Sequence, residues 1–322
     1  MMGDTPDPVE HDVVVVGGGP AGCSAGVFLA RSGADTAIYD RGRSSLARCA
    51  HLENYPGFPM GIDVETFYDL LHGQAENAGC ELVGDMVESV ERRDDGVGFV
   101  VAPQEGDPVT ARRVVAATRY DGEYMRGLDD DGAMFRTYEH DGEEHESFDP
   151  DYPDTDGTTP VEGLYVVTPA SPRDKQVAMA VGRGARVARR VVADRRIADG
   201  WWEAIAANVD WVRREAELDD EWADRERWET YFDEQFGPDA PYELDSEAYE
   251  RVRGEALDQR EAAYIDTDEV ESRRMGGHEA VAAHLDAGAV VAAHDEHDLL
   301  DAMDAAVVEA YLDDGRVTEV GD

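Results

Sequence analysis

An α/β fold is predicted, with a doubly wound sheet assembled from two separated stretches of chain and a mostly helical region after it. Three observations carry this expectation. Residues 12–16 end in four consecutive valines and run straight into Gly17-Gly18-Gly19-Pro20-Ala21-Gly22 and a helix of small apolar residues. That order, with a second apolar strand at 34–39, is a β-α-β unit whose strands are buried on both faces. A later stretch, VEGLYVVT at 161–168 followed by a helical pattern at 176–195, repeats the strand-then-helix order. Beyond residue 199 the pattern turns helical, and all five tryptophans fall between Trp201 and Trp228.

The intervening elements follow in order. Residues 65–78 read as an amphipathic helix with Phe67, Leu70, Leu71 and Ala75 on one face, closed by Gly79. Residues 82–83, 87–92, 98–102 and 109–117 read as short strands. Residues 128–160 are acidic, punctuated by Gly and Pro, and without apolar periodicity, which predicts a mobile loop or crossover. Helices are expected at 246–264, 278–286 and 295–313, with a strand at 289–293. The expected organisation is therefore a domain of residues 1–127 and 161–198, the acidic loop 128–160, and a helical domain 199–322.

Composition narrows the function. The 322 residues carry 29 Lys+Arg against 73 Asp+Glu, a formal net charge of −44, and Lys175 is the single lysine. Nucleic acid is excluded as a default partner, since a phosphate backbone needs a basic face. An anionic membrane surface is excluded likewise. With 42% hydrophobic residues, the chain reads as folded with an acidic skin. Such self-repulsion is screened only by concentrated salt, where the Debye length is ~3 Å at 1 M. The composition resembles that of extreme halophiles. Cys23, Cys49 and Cys80 form no C-x-x-C, so neither a disulfide framework nor a zinc ribbon is expected. No apolar run has the ~18–20 residues of a membrane span and the N-terminus is acidic, so a soluble cytoplasmic protein is expected.

The glycine motif carries the chemistry. In G-x-G-x-x-G the first glycine (Gly17) permits the tight turn, the second (Gly19) lets backbone approach a pyrophosphate, and the third (Gly22) lets helix and strand pack closely. The helix N-terminus then offers N–H groups to phosphate. Asp40 ends the second strand, placed to accept hydrogen bonds from an adenosine ribose. The motif is weak alone, but here it lies between a strand and a helix with the acidic residue in place, a Rossmann-like arrangement.

Together with E-N-Y-P-G-F-P at 53–59, Ala116-Ala117-Thr118, and the run from Gly163-Leu164-Tyr165 through Arg173-Asp174-Lys175-Gln176-Val177 to Gly184, this pattern resembles the flavin domain of thioredoxin reductases and their relatives. The resemblance covers residues 11–127 and 161–195. It implies an FAD-dependent oxidoreductase in which Gly17, Gly18, Gly19, Pro20, Ala21 and Gly22 hold the pyrophosphate and Asp40 binds the ribose. It further places Asn54 beside the flavin, Val87 on the adenine through its backbone, Ala117 and Thr118 along the cofactor, and Gln176 and Val177 at the pyrimidine edge.

The departures from that family are equally clear. Its NADPH-binding domain and redox C-x-x-C are replaced by residues 128–160, so the chain is expected not to be a thioredoxin reductase itself, and NAD(P)H enters only as a diffusible donor. The family's A-T-G reads Ala117-Thr118-Arg119, and its G-D is lost within residues 168–172, with Asp174 as a substitute. A different class of function stays open: a non-catalytic flavin- or adenine-nucleotide-binding or interaction protein. A ferredoxin-linked flavoenzyme is a further alternative. The substrate is a small molecule or a redox protein.

Smaller signals have more than one reading. Cys49, near E-N-Y-P-G-F-P, is a candidate redox thiol or a packing residue. Arg41, Arg43 and Arg48 meet a phosphate or pair with surface carboxylates. The tryptophan-rich helices form a core, a homodimer interface or a substrate lid. His278, His284, His294 and His297 have no metal-site spacing, and no metal is expected.

Overall fold

The computed structural model describes residues 10–314 apart from 43, 120, 130–131, 141, 168–174, 210–211 and 217–223. The chain divides into two compact units, Met1–Glu269 and Val270–Asp322.

The first unit is built on a seven-stranded mixed sheet. Its strands are β1 (His11–Val16), β2 (Thr36–Tyr39), β3 (Glu81–Val83), β4 (Val87–Arg92), β5 (Phe99–Pro103), β6 (Val109–Ala116) and β9 (Leu164–Val166). The order is β3-β2-β1-β6-β5-β4, and β9 pairs with the far end of β6. Strands β3, β2, β1, β6 and β9 run parallel, whereas β4, β5 and β6 form an antiparallel meander.

Alternation along these strands makes two cores. Val13, Val15, Ile38 and Val115 face one side, where α1 (Pro20–Arg31) and α3 (Val177–Ala198) cover them with Leu29, Val187, Ala188 and Val191. Val14, Val16, Ala37, Val114 and Ala116 face the other side and meet Phe99, Val101, Tyr124, Met125, Met134 and Phe148. Helix α2 (Val64–Ala78) is capped by the Asp63 side chain on Thr66 N–H and ends at Gly79 in a left-handed conformation.

Here the expected loop is corrected. Two strands form there, β7 (Phe135–His140) paired antiparallel with β8 (Glu143–Phe148). Met134 and Phe148 are buried at their base, with Leu128 and Val161, and close the second face of the sheet. The apolar anchors are single residues spread through acidic sequence, so no periodicity announces them. The strands themselves are mostly exposed, which is why charge runs along them without cost to burial.

The tryptophans resolve into packing. Trp201, Trp202 and Trp228 are buried with Ile205, Phe232, Tyr249 and Val252 in a third core, formed by α4 (Glu203–Ala206), α5 (Arg225–Phe236) and α6 (Glu247–Glu261). Trp202 stacks on Tyr249 with centroids 5.5 Å apart. Trp211 and Trp222 lie outside the described residues. Two-residue strands β10 (Arg214–Glu215) and β11 (Tyr264–Ile265) pair in parallel beside this core. It belongs to the same compact unit as the sheet, so the chain does not part at the expected boundary of 198/199.

In the C-terminal stretch, α7 (Thr267–Ala282) takes in the first part of the helix expected at 278–286 and begins before it. The strand expected at 289–293 is instead α8 (Ala287–Ala293), started by the Asp286 side chain on Ala289 N–H. The helix expected at 295–313 is broken into α9 (Glu296–Ala302) and α10 (Ala305–Asp313), because Asp304 caps a new start. No described residue of α7 to α10 is buried. Among the described residues no helix is long and apolar enough to cross a membrane, and no cluster of His, Cys, Asp and Glu could hold a metal.

Candidate functional site

A cavity of about 330 Å³ opens at the carboxyl ends of β1, β2 and β6. That is where ligands bind in open α/β sheets. Of the residues singled out from the sequence, Gly17, Gly18, Gly19, Pro20, Ala21, Asp40, Arg41, Val87, Ala117 and Thr118 line it. Close packing dictates the glycines. Gly17 has φ +111°, and a Cβ there would lie 2.9 Å from the Ala117 carbonyl oxygen. A Cβ on Gly22 would lie 1.8 Å from the Gly17 carbonyl oxygen, so this residue packs the helix behind the turn rather than lining the cavity. At Gly18 a Cβ would strike the Asp40 side chain at 2.5 Å. The bare backbone of Gly18 is what lets Asp40 close over the turn.

Asp40 is held ionised. Its Oδ1 accepts from Gly42 N–H at 3.0 Å, and His72 Nε2 lies 3.4 Å from Oδ2. The same nitrogen is 3.0 Å from the Gly18 carbonyl oxygen. Both neighbours are acceptors, so Nε2 carries the hydrogen. The His72 hydrogen bond holds the Asp40 carboxyl below its usual range, although burial acts the other way. Asp40 in turn raises His72 to about 10, with Cys23 adding to the effect and burial opposing it.

His72 was not singled out from the sequence. The available signal is weak: it stands one helical turn after Tyr68 on α2, and the two rings meet edge to face at 5.5 Å. Tyr68 was also missed. Its hydroxyl is buried, 4.0 Å from where a Gly19 Cβ would be, and burial pushes it up to about 12 against a hydrogen bond with Ser44.

The strand end opposite is pinned. Thr118 Oγ1 donates to the Asp121 carbonyl and meets Tyr124 Oη at 2.9 Å. Asp121 pairs with Arg41 at 3.0 Å, which realises the ion-pair reading of Arg41 while leaving it on the cavity wall. Arg48, Arg119, Lys175 and Arg183 also line the cavity; Arg43 lies outside the described residues.

The remaining sequence-derived positions are elsewhere. Asn54 is exposed in the 53–59 loop, which borders its own shallow depression. Gln176 is exposed at the N-cap of α3. Val177 packs with Tyr55 and Phe58 on a small core of Leu46, Leu52, Ile62 and Phe67. The E-N-Y-P-G-F-P loop and the start of α3 therefore share one small core, and neither forms the cavity wall. Cys49 is exposed, whereas Cys23 and Cys80 are buried. Residues 168–174, including Asp174, lie outside the described residues.

These features fit an adenine nucleotide. The glycine turn leaves backbone open where a phosphate would approach, the Tyr68 hydroxyl sits beside Gly19, and the ionised Asp40 can accept from two ribose hydroxyls. Cations on the wall compensate phosphate charge.

Comparison with known proteins finds relatives of the N-terminal part of the chain. Residues 11–118 match the model of a family described as pyridine nucleotide-disulphide oxidoreductase. The bifunctional thioredoxin reductase/thioredoxin of Mycobacterium leprae is 35% identical over 130 residues, 39% of this chain and 28% of that protein. The thioredoxin reductase of Listeria monocytogenes is 32% identical over 111 residues, 34% of this chain and 33% of that protein. The chain thus spans about a third of the length of these relatives. Among solved structures, a thioredoxin reductase from Gloeobacter violaceus aligns with 63% of this chain and 98% of its own, at 18% identity and a TM-score of 0.48. The T. acidophilum thioredoxin reductase aligns with 58% and 99%, at 20% identity and a TM-score of 0.44.

Proposed function

We propose, from a chain whose residues 11–118 match the pyridine nucleotide-disulphide oxidoreductase family, that the protein is an FAD-dependent oxidoreductase resembling thioredoxin reductase but acting on a different acceptor. The observation that carries this reading is the cavity at the strand ends, where the glycine turn, the ionised Asp40 and the cationic wall converge. FAD, when bound, supplies hydride and electron transfer. The chain's own residues do the rest. The 17–22 turn and the start of α1 hold the pyrophosphate, Asp40 accepts from the ribose, and Val87 borders the adenine. Asn54, Gln176 and Val177 would serve the flavin end, where Val177 of α3 and Tyr55 and Phe58 of the 53–59 loop pack against one small core.

A different acceptor follows from the cysteines. Cys23, Cys49 and Cys80 make no C-x-x-C, so no dithiol of that form can relay electrons to thioredoxin. A small molecule or a redox protein takes that place, with NAD(P)H as a diffusible donor and a cytoplasm of high salt as the setting.

One observation favours a second reading. The cavity, at about 330 Å³, is near the lower end of ordinary small-ligand pockets, and Asn54 and Gln176 do not line it. A protein that binds an adenine nucleotide without redox chemistry would need no more. An absorption spectrum in molar KCl, taken before and after NADH, NADPH and dithionite, separates the two. Flavin bands that bleach with a pyridine nucleotide support the oxidoreductase and name its donor. Bands that bleach only with dithionite point to a protein donor such as ferredoxin. No bands, even after incubation with FAD, leave the nucleotide-binding reading.

A further inference from the structure

Arg119 stands out in the backbone. It is the only non-glycine among the described residues with a positive φ, +71°. An L side chain enters that region against steric repulsion, and glycine is the default there. The position is constrained from both sides. Before it, the Ala117–Thr118 backbone abuts the Gly17 turn, with Ala117 O and Thr118 N 2.9 and 3.3 Å from where a Gly17 Cβ would be. After it, Thr118 Oγ1 ties the turn to the Asp121 carbonyl and to Tyr124. The turn therefore holds a glycine-type conformation while the sequence supplies an arginine, which is among the residues lining the cavity.

Charge says what that side chain is for. The protein as a whole carries −44 and repels anions. The cavity wall reverses this sign locally: Arg41, Arg48, Arg119, Lys175 and Arg183 face Asp40, Asp85 and Asp121. Asp121 is paired with Arg41, and Asp85 accepts from the backbone N–H groups of Met86, Glu105 and Gly106. The chain's single lysine is among these cations. A concentration of positive charge beside the glycine turn matches a ligand bearing a phosphate or pyrophosphate.

We propose that Arg119 is a specificity-determining residue that recruits the phosphate-bearing part of a nucleotide, its left-handed backbone being maintained for that contact. This rests on the nucleotide-binding reading above and adds to it the residue that selects for phosphate charge.

The test uses the full chain in KCl, with FAD and ADP as probes followed by flavin fluorescence and calorimetry. Arg119→Gly suits the backbone better, so its thermal midpoint should equal or exceed that of the wild type. Its affinity for both probes should nevertheless fall about 10- to 100-fold, the range for a charge-assisted hydrogen bond, and depend less steeply on salt. Arg119→Lys should recover part of the loss. Unchanged affinity in Arg119→Gly would overturn the inference alone. So would a loss that keeps the wild-type salt dependence, or a loss accompanied by a lower thermal midpoint that Arg119→Lys restores without restoring affinity. A wild-type chain that binds neither probe would overturn the nucleotide reading itself.

Discussion

Replacing Gly184 with alanine tests the packing that positions the site. Gly184 lies in α3 where it crosses α1, and an added Cβ would come 2.1 Å from the Ala21 carbonyl oxygen and 3.1 Å from the Ser24 Cβ. Relief to an ordinary contact requires the helices to part by about 1 Å, in an interior packed as densely as an organic crystal. Overpacking of this kind costs about 1–3 kcal/mol. Parting also strains the hydrogen bond from Ser24 Oγ to the Val181 carbonyl, now 2.8 Å, which contributes about 1 kcal/mol. Against this, exchanging glycine for alanine inside a helix gains about 1 kcal/mol. The expected net destabilisation is about 1–3 kcal/mol. Gly182 supplies the control: it is on the same helix, exposed, with nothing within 4 Å of an added Cβ. Gly182→Ala should stabilise by about 0.5–1 kcal/mol. Urea unfolding of both variants at one fixed KCl concentration reads the difference. Equal midpoints for the two variants would refute the argument that backbone approach between α1 and α3 requires glycine.

The Asp40–His72 pair predicts a pH profile. His72 is raised from 6.5 to about 10, so its contribution to stability is whole below pH 6.5 and is lost as pH rises through about 10. Asp40 is lowered from 3.8, so its contribution is present above about pH 4 and is lost as pH falls below it. The difference in unfolding free energy between wild type and His72→Ala should therefore peak between about pH 4 and 6.5 and shrink toward pH 10; a difference independent of pH would count against the pair. Asp40→Ala should weaken ADP binding about tenfold or more, the value of one to two hydrogen bonds to a carboxylate, measured by calorimetry. Cys49 is exposed while Cys23 and Cys80 are buried, and burial pushes the Cys80 thiol up to about 12. Iodoacetamide should thus label one thiol in the native chain and three in urea, counted by intact mass. Finally, the thermal midpoint should rise steeply with KCl at low concentrations, because the net charge of −44 opposes compaction until it is screened.

The glycine-turn end of the cavity was legible because it is local in sequence. The 17–22 turn, Asp40 and Val87 each announce themselves through strand ends, glycine spacing or resemblance, and all but the buried Gly22 line one cavity. His72 and Tyr68 were not legible. They reach the glycine turn from α2 only once that helix is packed, and a histidine or tyrosine on an amphipathic helix has no pattern of its own. The same cause hid the β7–β8 pair: Met134 and Phe148 are buried by partners on distant strands, and their neighbours read as acidic loop.

The sequence by itself determined the parallel β1-α1-β2 unit, the conformationally required glycines, the acidic surface and the absence of a C-x-x-C. These follow from period, steric freedom and composition, which are properties of neighbouring residues. Tertiary structure alone decided that the sheet is mixed, that the tryptophan helices share one compact unit with it, and that Asp40 is held by His72. It also decided that Arg119 takes a left-handed backbone beside a cavity where cations outnumber carboxylates in an otherwise anionic protein. Those outcomes depend on which surfaces meet across long separations in sequence, and no local pattern encodes a contact whose energy arises only when both partners are in place.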